Sequence, residues 1–195
     1  LERYLFTSER LGFRAWKPED LHFIDELNSD HEVMRYFPSI PNREQNKSLL
    51  LRMIDLYETN EYCYFPVEKL SSGQFVGFIG IADQDYPAPF TPGVDIGWRL
   101  KKEFWGQGLA SEGANRVLQY GFQEIGLDRI FSIAPKINKA SIAVMRKIGL
   151  DYLTDFSHPK LKDHPNLESC KVYQLYRTDY LAKELCLSRF NLHPG

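Results

Sequence analysis

The chain has 195 residues, with 24 Lys and Arg against 26 Asp and Glu and a formal charge of −2. Hydrophobic residues make up 43% and aromatic residues 14%, which excludes a disordered chain and fits one folded domain over residues 1–195. The near-neutral balance offers no broad basic field, so no nucleic-acid or membrane partner is expected, and a basic protein would be met only through a local patch.

A first strand is expected over Leu11 to Trp16, where Leu11, Phe13 and Ala15 alternate with Gly12 and Arg14. Pro18-Glu19-Asp20 reads as a helix start, and Leu21, Ile24 and Leu27 mark its buried stripe. Asn42 to Tyr57 reads as a second helix, with Asn42 as cap and an apolar face of Leu49, Leu50, Met53, Ile54 and Tyr57. Glu61 to Leu70 is a strand, Ser71-Ser72-Gly73 a tight turn, and Phe75 to Ala82 the return strand. Asp83 to Gly93 holds Pro87, Pro89 and Pro92, too many for a strand interior, and reads as an ordered loop of the kind that lines substrate sites.

Val94 to Leu100 alternates as a strand and runs into Trp105-Gly106-Gln107-Gly108-Leu109-Ala110-Ser111-Glu112-Gly113, after which a helix extends to about Ile125. A glycine-bearing strand-to-helix turn presents several backbone N–H groups and the positive end of the helix dipole to one point, a site for phosphate or pyrophosphate. A nucleoside triphosphate loop would need Lys followed by Ser or Thr where Leu109-Ala110 stand. A dinucleotide turn would need a third glycine, for which Gly108, Ala110 and Gly113 compete. Arg129 to Ala134 is a strand and Ser141 to Ile148 a helix. Tyr152 to Phe156 and Lys171 to Arg177 are the last two strands, joined by a loop that carries His and Pro.

Cys63, Cys170 and Cys186 have no metal-like spacing, and their odd number argues against a disulfide framework, so each reads as a small buried hydrophobe. His158-Pro159 and His164-Pro165 lack acidic or thiolate partners at ligand spacing, so no metal is expected. Without a signal peptide or an apolar span, a cytoplasmic setting is the expectation.

Residues 138–150, Asn-Lys-Ala-Ser-Ile-Ala-Val-Met-Arg-Lys-Ile-Gly-Leu, make the glycine turn specific. Together the two stretches resemble the signature motifs of the GNAT acyltransferases. The family's Arg/Gln-x-x-Gly-x-Gly/Ala turn falls on Trp105 to Ala110, with Trp in first place. Its Asn-x-x-Ser/Ala followed by Lys-x-Gly-Phe falls on Asn138, Ser141, Lys147, Gly149 and Leu150. Trp at the head of the turn, the opening Ser8 to Arg14 and the later Pro18 to Leu21 are similar to the branch with ribosomal-protein N-terminal acetyltransferases. The resemblance runs from about residue 8 to about residue 178.

The resemblance implies an α+β GNAT-like domain whose mixed, mostly antiparallel sheet has helices on both faces and splays at the cofactor site. It implies acetyl-CoA as donor. The pantetheine arm would lie beside Trp98, Arg99 and Leu100, with N–H groups of Gly106, Gln107, Gly108, Leu109 and Ala110 on the pyrophosphate. Ser111 would add a hydroxyl, and Asn138 would approach the pantetheine from the other lip while capping its helix. Many members carry a Tyr acid seven residues after the motif Asn; here that place is Met145, which cannot donate a proton. Ser141 is the nearest substitute, with packing as its alternative role. Asp95 is the first candidate for a base, with an ion pair to Arg99 on the same strand face as the competing role; Asp83 comes second.

The implied activity is acetyl transfer to a primary amine, either a protein N-terminus or a small molecule, in a monomer or homodimer. A catalytically weak acyl-CoA-binding module is the competing reading, suggested by Met145. Specificity is expected in Phe37-Pro38-Ser39 and in the loops 83–93 and 155–170.

Overall fold

The structure, a computed structural model, describes residues 3–190. At one sheet edge β1 (Phe6–Thr7) and β2 (Leu11–Phe13) form a hairpin. The expected strand to Trp16 stops at Phe13. The Trp16 indole instead turns inward and donates to the Tyr64 carbonyl at 2.6 Å. Helix α1 (Leu21–Ser29) follows a 3₁₀ turn at Pro18–Asp20, and α2 (His31–Met34) is capped by the Asp30 carboxylate. Helix α3 (Arg43–Asn60) opens on a reciprocal capping box: Gln45 N–H donates to Asn42 Oδ1 at 2.9 Å, and Asn42 N–H donates to Gln45 Oε1 at 2.8 Å.

Strands β3 (Tyr64–Lys69), β4 (Phe75–Gln84) and β5 (Gly93–Leu100) form an antiparallel meander. Helix α4 (Leu109–Gln119) continues as a π-helical segment, Tyr120–Ile125. Strand β6 (Arg129–Pro135), helix α5 (Lys139–Lys147), strand β7 (Asp151–Ser157), helix α6 (Pro165–Glu168), strand β8 (Ser169–Tyr176) and helix α7 (Arg177–Phe190) complete the chain. The eight strands form one sheet in the order β1-β2-β3-β4-β5-β6-β8-β7, antiparallel throughout except for β5 against β6. This is the mixed, mostly antiparallel α+β layout that the motifs implied.

Helices cover both faces, which explains why β4 is buried from Phe75 to Ala82. Ile79, Leu11 and Phe13 meet α4 at Gly113, and Ile81 lies against Gly121. On the opposite face Tyr64 and Phe78 lie with Trp16, with Ile24 of α1 and with Leu49 and Met53 of α3. The loop expected over Asp83 to Gly93 is shorter, 85–92, because β4 runs on to Gln84 and β5 starts at Gly93, and it packs onto the sheet. Tyr86 and Phe90 pack with Phe131 and Val172 in a satellite cluster, and Arg129 Nη2 donates to the Phe90 carbonyl at 2.7 Å. Cys63 and Cys170 are buried as expected; Cys186, on α7, is exposed and is not a core residue.

Gly80 sets the spacing of the meander. A Cβ there would stand 2.0 Å from the Cys63 carbonyl oxygen and 2.5 Å from Tyr64 Cα, both backbone atoms. Gly80 faces Tyr64 on β3 and Gly97 on β5, so the Tyr64 ring lies across two glycines. Gly80→Ala should cost about 3 kcal/mol, because backbone rather than a pliable side chain must move. A urea melt checks this; a midpoint shift worth less than about 0.5 kcal/mol would contradict it.

Candidate active site

The site begins where two strands stop pairing. β5 and β6 share two parallel register pairs, Val94↔Ile130 and Asp95↔Phe131, and then separate. β5 goes on with β4 to Leu100, while β6 goes on with β8 to Pro135. Neighbouring residues of a strand aim their backbone groups to opposite sides. Lys101 N–H donates to the Val76 carbonyl at 2.9 Å, so odd-numbered residues here face β4. Ile96, Trp98 and Leu100 therefore face the gap. The Ser132 hydroxyl donates to the Ile96 carbonyl at 2.9 Å, and Trp105 Nε1 donates to the Leu100 carbonyl at 2.9 Å. The Trp98 N–H and C=O and the Leu100 N–H remain directed at the cleft, opposite Ile133 of β6.

The cleft has a volume of about 550 Å³. Its walls include Trp98, Arg99, Leu100, Gly106, Gly108, Leu109, Ala110, Ser111, Asn138 and Ser141, together with Asp95 and Met145. These are residues that the motif resemblance assigned to one site. Gln107 does not line it: its side chain turns back to the Glu103 carbonyl at 2.8 Å.

The glycine turn is built for close approach. Gly106 and Gly108 have φ of +72° and +78°, and a Cβ on Gly106 would meet nothing within 4 Å. α4 starts at Leu109 with no side-chain cap, so its first N–H groups face the cavity. Arg10, part of the opening stretch but given no site role by the sequence, is held by Glu112 at 2.6 Å and donates to the Gln107 carbonyl at 3.1 Å, placing a cation beside the turn. On the facing lip Asn138 Oδ1 accepts from Ser141 N–H at 3.1 Å, the cap expected of it. Met145 is 1% exposed and contributes an apolar wall in the place of the expected Tyr.

The opposite half of the cleft carries a hydrogen-bonded cluster. Tyr64 Oη donates to Asp95 Oδ1 at 2.5 Å, and Gln84 Nε2 donates to the same oxygen at 3.2 Å. Burial pushes the Asp95 carboxyl up to about 6, against the lowering effect of the Tyr64 and Gln84 hydrogen bonds. Burial, then the adjacent Asp95, drives the Tyr64 phenol well above its ordinary value. Asp95 and Arg99 share a strand face but form no ion pair. Arg99 Nη1 donates to Asn28 Oδ1 at 2.5 Å, and its guanidinium lies over Phe37 at 4.0 Å and Phe78 at 5.1 Å. Asp83 lies outside the cleft, accepting from Tyr62 at 2.9 Å and Asn60 at 2.7 Å.

Of the three segments expected to set specificity, Phe37 alone contributes a cleft wall. Among the described residues no group of three or more His, Cys, Asp or Glu could hold a metal ion, and no helix is long and apolar enough to cross a membrane.

The sequence model of the acetyltransferase (GNAT) domain matches residues 10–151. The FsC-acetyl coenzyme A-N(2)-transacetylase of Aspergillus fumigatus is 34% identical over 119 residues, covering 58% of this chain and 51% of that protein. The match thus spans about half the length of this curated relative. A solved acetyltransferase (GNAT family) from Bacillus anthracis has a TM-score of 0.71 at 28% identity, over 88% of this chain and 98% of that one. The ribosomal L7/L12 alpha-N-protein acetyltransferase RimL, solved in complex with coenzyme A, has a TM-score of 0.71 at 16% identity, over 88% of this chain and 97% of that one, a likeness of fold alone.

Tyr64→Phe tests the electrostatics of the cluster. Loss of the phenol removes a hydrogen bond that favours the carboxylate, so the Asp95 pKa should rise further above about 6. Carbon-detected NMR titration of the Asp side chains reads it; a fall or no change would contradict the assignment.

Proposed function

The chain belongs to the GNAT acetyltransferase family, and on that premise we propose that it moves an acetyl group from acetyl-CoA to a primary amine by direct attack. The observation that carries this reading is the parted pair β5 and β6, with free backbone groups at its mouth and a glycine turn at one end. Pantetheine carries amide groups that match Trp98 and Leu100. Pyrophosphate matches the open Gly106 and the uncapped start of α4, with Arg10 beside them. These residues fit acetyl-CoA, which when bound supplies an activated thioester.

The chain's own groups have three tasks. The acceptor must lose a proton, and Asp95 takes it, directly or through Tyr64. A carboxyl with a pKa of about 6 is ionised at neutral pH, yet basic enough to accept a proton from an amine in the transition state. The cleft-facing Trp98 N–H is placed to donate to the carbonyl oxygen as it gains charge. Met145 cannot protonate the departing sulfur, and Ser141 is the hydroxyl of the α5 lip of the cleft that could donate to it, with Tyr36, Tyr64, Ser111 and Ser132 as the other hydroxyls of the wall. Orientation supplies much of the remaining rate. The acceptor amine is either a protein N-terminus, as in the branch that Trp105 suggests, or a small molecule. A panel of peptides and small amines with acetyl-CoA, read by thiol release, tests the activity; acetyl-CoA binding without turnover on any amine would favour a binding module.

Asp95→Asn should lower kcat/KM by about a hundredfold or more, and the wild-type profile should fall on its acid side near pH 6. The stability effect has the opposite sign. The native Asp95 pKa, about 6, lies above its unfolded value, so the folded state holds the proton more tightly and stability declines as pH rises between the two values. Asp95→Asn should therefore be as stable as wild type or more so at pH 8, by up to about 3 kcal/mol, with the gain gone below about pH 4. A variant that is active and less stable at pH 8 would exclude the base role.

A further inference from the structure

Among the described residues no acidic group balances the charge of Arg99. Its side chain lines the cleft on the same strand face as Asp95, yet no carboxylate among the described residues pairs with it. Nη1 donates to Asn28 Oδ1, a neutral acceptor, and Nε is buried without a partner. Among the described residues the other N–H groups of the guanidinium donate to no partner, which leaves most of its donor capacity unused. Burial lowers its pKa to about 10, the mark of a cation short of solvent and of counter-charge.

The surroundings hold this cation in place. Phe37 and Phe78 lie against the guanidinium. Behind it runs a buried amide relay: Asn28 Nδ2 donates to Asn46 Oδ1 at 2.7 Å, and Asn46 Nδ2 donates to Asp25 Oδ1 at 2.8 Å. Asp25 is itself engaged by Arg43 at 2.5 Å. The relay orients Arg99 without neutralising it. A guanidinium that served only to tie β5 to α1 would need one donor, whereas a planar fork held between aromatic faces and open to a cleft is a receptor for a carboxylate. The acidic groups on the cleft walls do not compete for it: Glu32 pairs with Arg35 at 3.3 Å, and Asp95 is engaged by Tyr64 and Gln84.

We propose that the acceptor is an amine that also carries a carboxylate, which Arg99 binds while the amine lies toward Asp95. This deepens the acetyltransferase reading and rests on it. The two groups leave β5 four residues apart, roughly 13 Å along an extended strand, so the acceptor is long enough to separate its charges by several bonds. A free amino acid with a terminal amine and a peptide with an acidic residue near its N-terminus share this chemistry.

The test compares matched acceptors: ω-amino acids of increasing chain length against their carboxamides, and short peptides with Glu against Gln at the second position. Wild type should favour the acid by about ten- to a hundredfold in kcat/KM. Arg99→Gln should bring that ratio close to one by lowering kcat/KM for the acid far more than for the amide; Arg99→Lys should restore part of the preference. The series with the larger ratio identifies the source. Equal use of acid and amide by wild type, or equal loss for both in Arg99→Gln, would overturn the proposal, and weakened acetyl-CoA binding would instead assign Arg99 to the donor. If no amine is acetylated, the acetyltransferase reading fails by itself. Thermal stabilisation of CoA-bound wild type by the ω-amino acids, absent with their carboxamides and in Arg99→Gln, would then still uphold the carboxylate site, and its absence would overturn it.

Discussion

Two strands that begin to pair and then part govern this site. Parallel β5 and β6 hold register through Val94 and Asp95 only, although both strands continue. An open gap inside a sheet leaves backbone donors and acceptors without partners, which burial makes costly. The fold meets part of that cost internally. Ser132 takes the Ile96 carbonyl, Trp105 takes the Leu100 carbonyl, and Asn138 N–H takes the Pro135 carbonyl at 2.8 Å. What is left unsatisfied, around Trp98, Leu100 and Ile133, is the edge that an extended ligand can complete as a strand would. The glycine turn and the start of α4 lie at one end of the gap, and the Tyr64–Asp95 pair lies on the face of α1 and α3.

The chemistry follows from a second constraint, burial of charge. Asp95 and Arg99 project from one strand face and carry opposite charges, yet each finds neutral partners. Both are shifted toward their neutral forms by burial, Asp95 up to about 6 and Arg99 down to about 10. A direct pair would relieve both and leave neither available to a ligand. Keeping them apart costs stability, and on the reading proposed above it leaves one pole for the acceptor amine and one for a carboxylate.

Much of this could be read in the sequence. The cap at Asn42, the β3–β4 hairpin and the alternation of β5 follow from local periodicity and turn chemistry, and the glycine turn follows from residues that stand side by side. The same alternation put Asp95 and Arg99 on one face. It did not show that each is engaged elsewhere, because Tyr64 and Asn28 arrive from distant segments through sheet register and helix packing. Tyr64 reaches Asp95 only across Gly80 and Gly97, a placement with no local signature. The aromatics of the proline-rich stretch 83–93 signal burial without naming the surface they bury against, which is Phe131 and Val172. The sequence of helix α7 carries no helical periodicity of apolar residues from which the helix could be read.

Amide hydrogen exchange along β5, with and without acetyl-CoA, tests the parted-strand account most directly. In the free protein the Trp98 and Leu100 amides should exchange fast, while Gly97 and Arg99, bonded to β4, exchange slowly; acetyl-CoA should slow Trp98 and Leu100 and leave the others unchanged. Slow exchange at all four amides in the free protein, or no protection of Trp98 and Leu100 on binding, would contradict it.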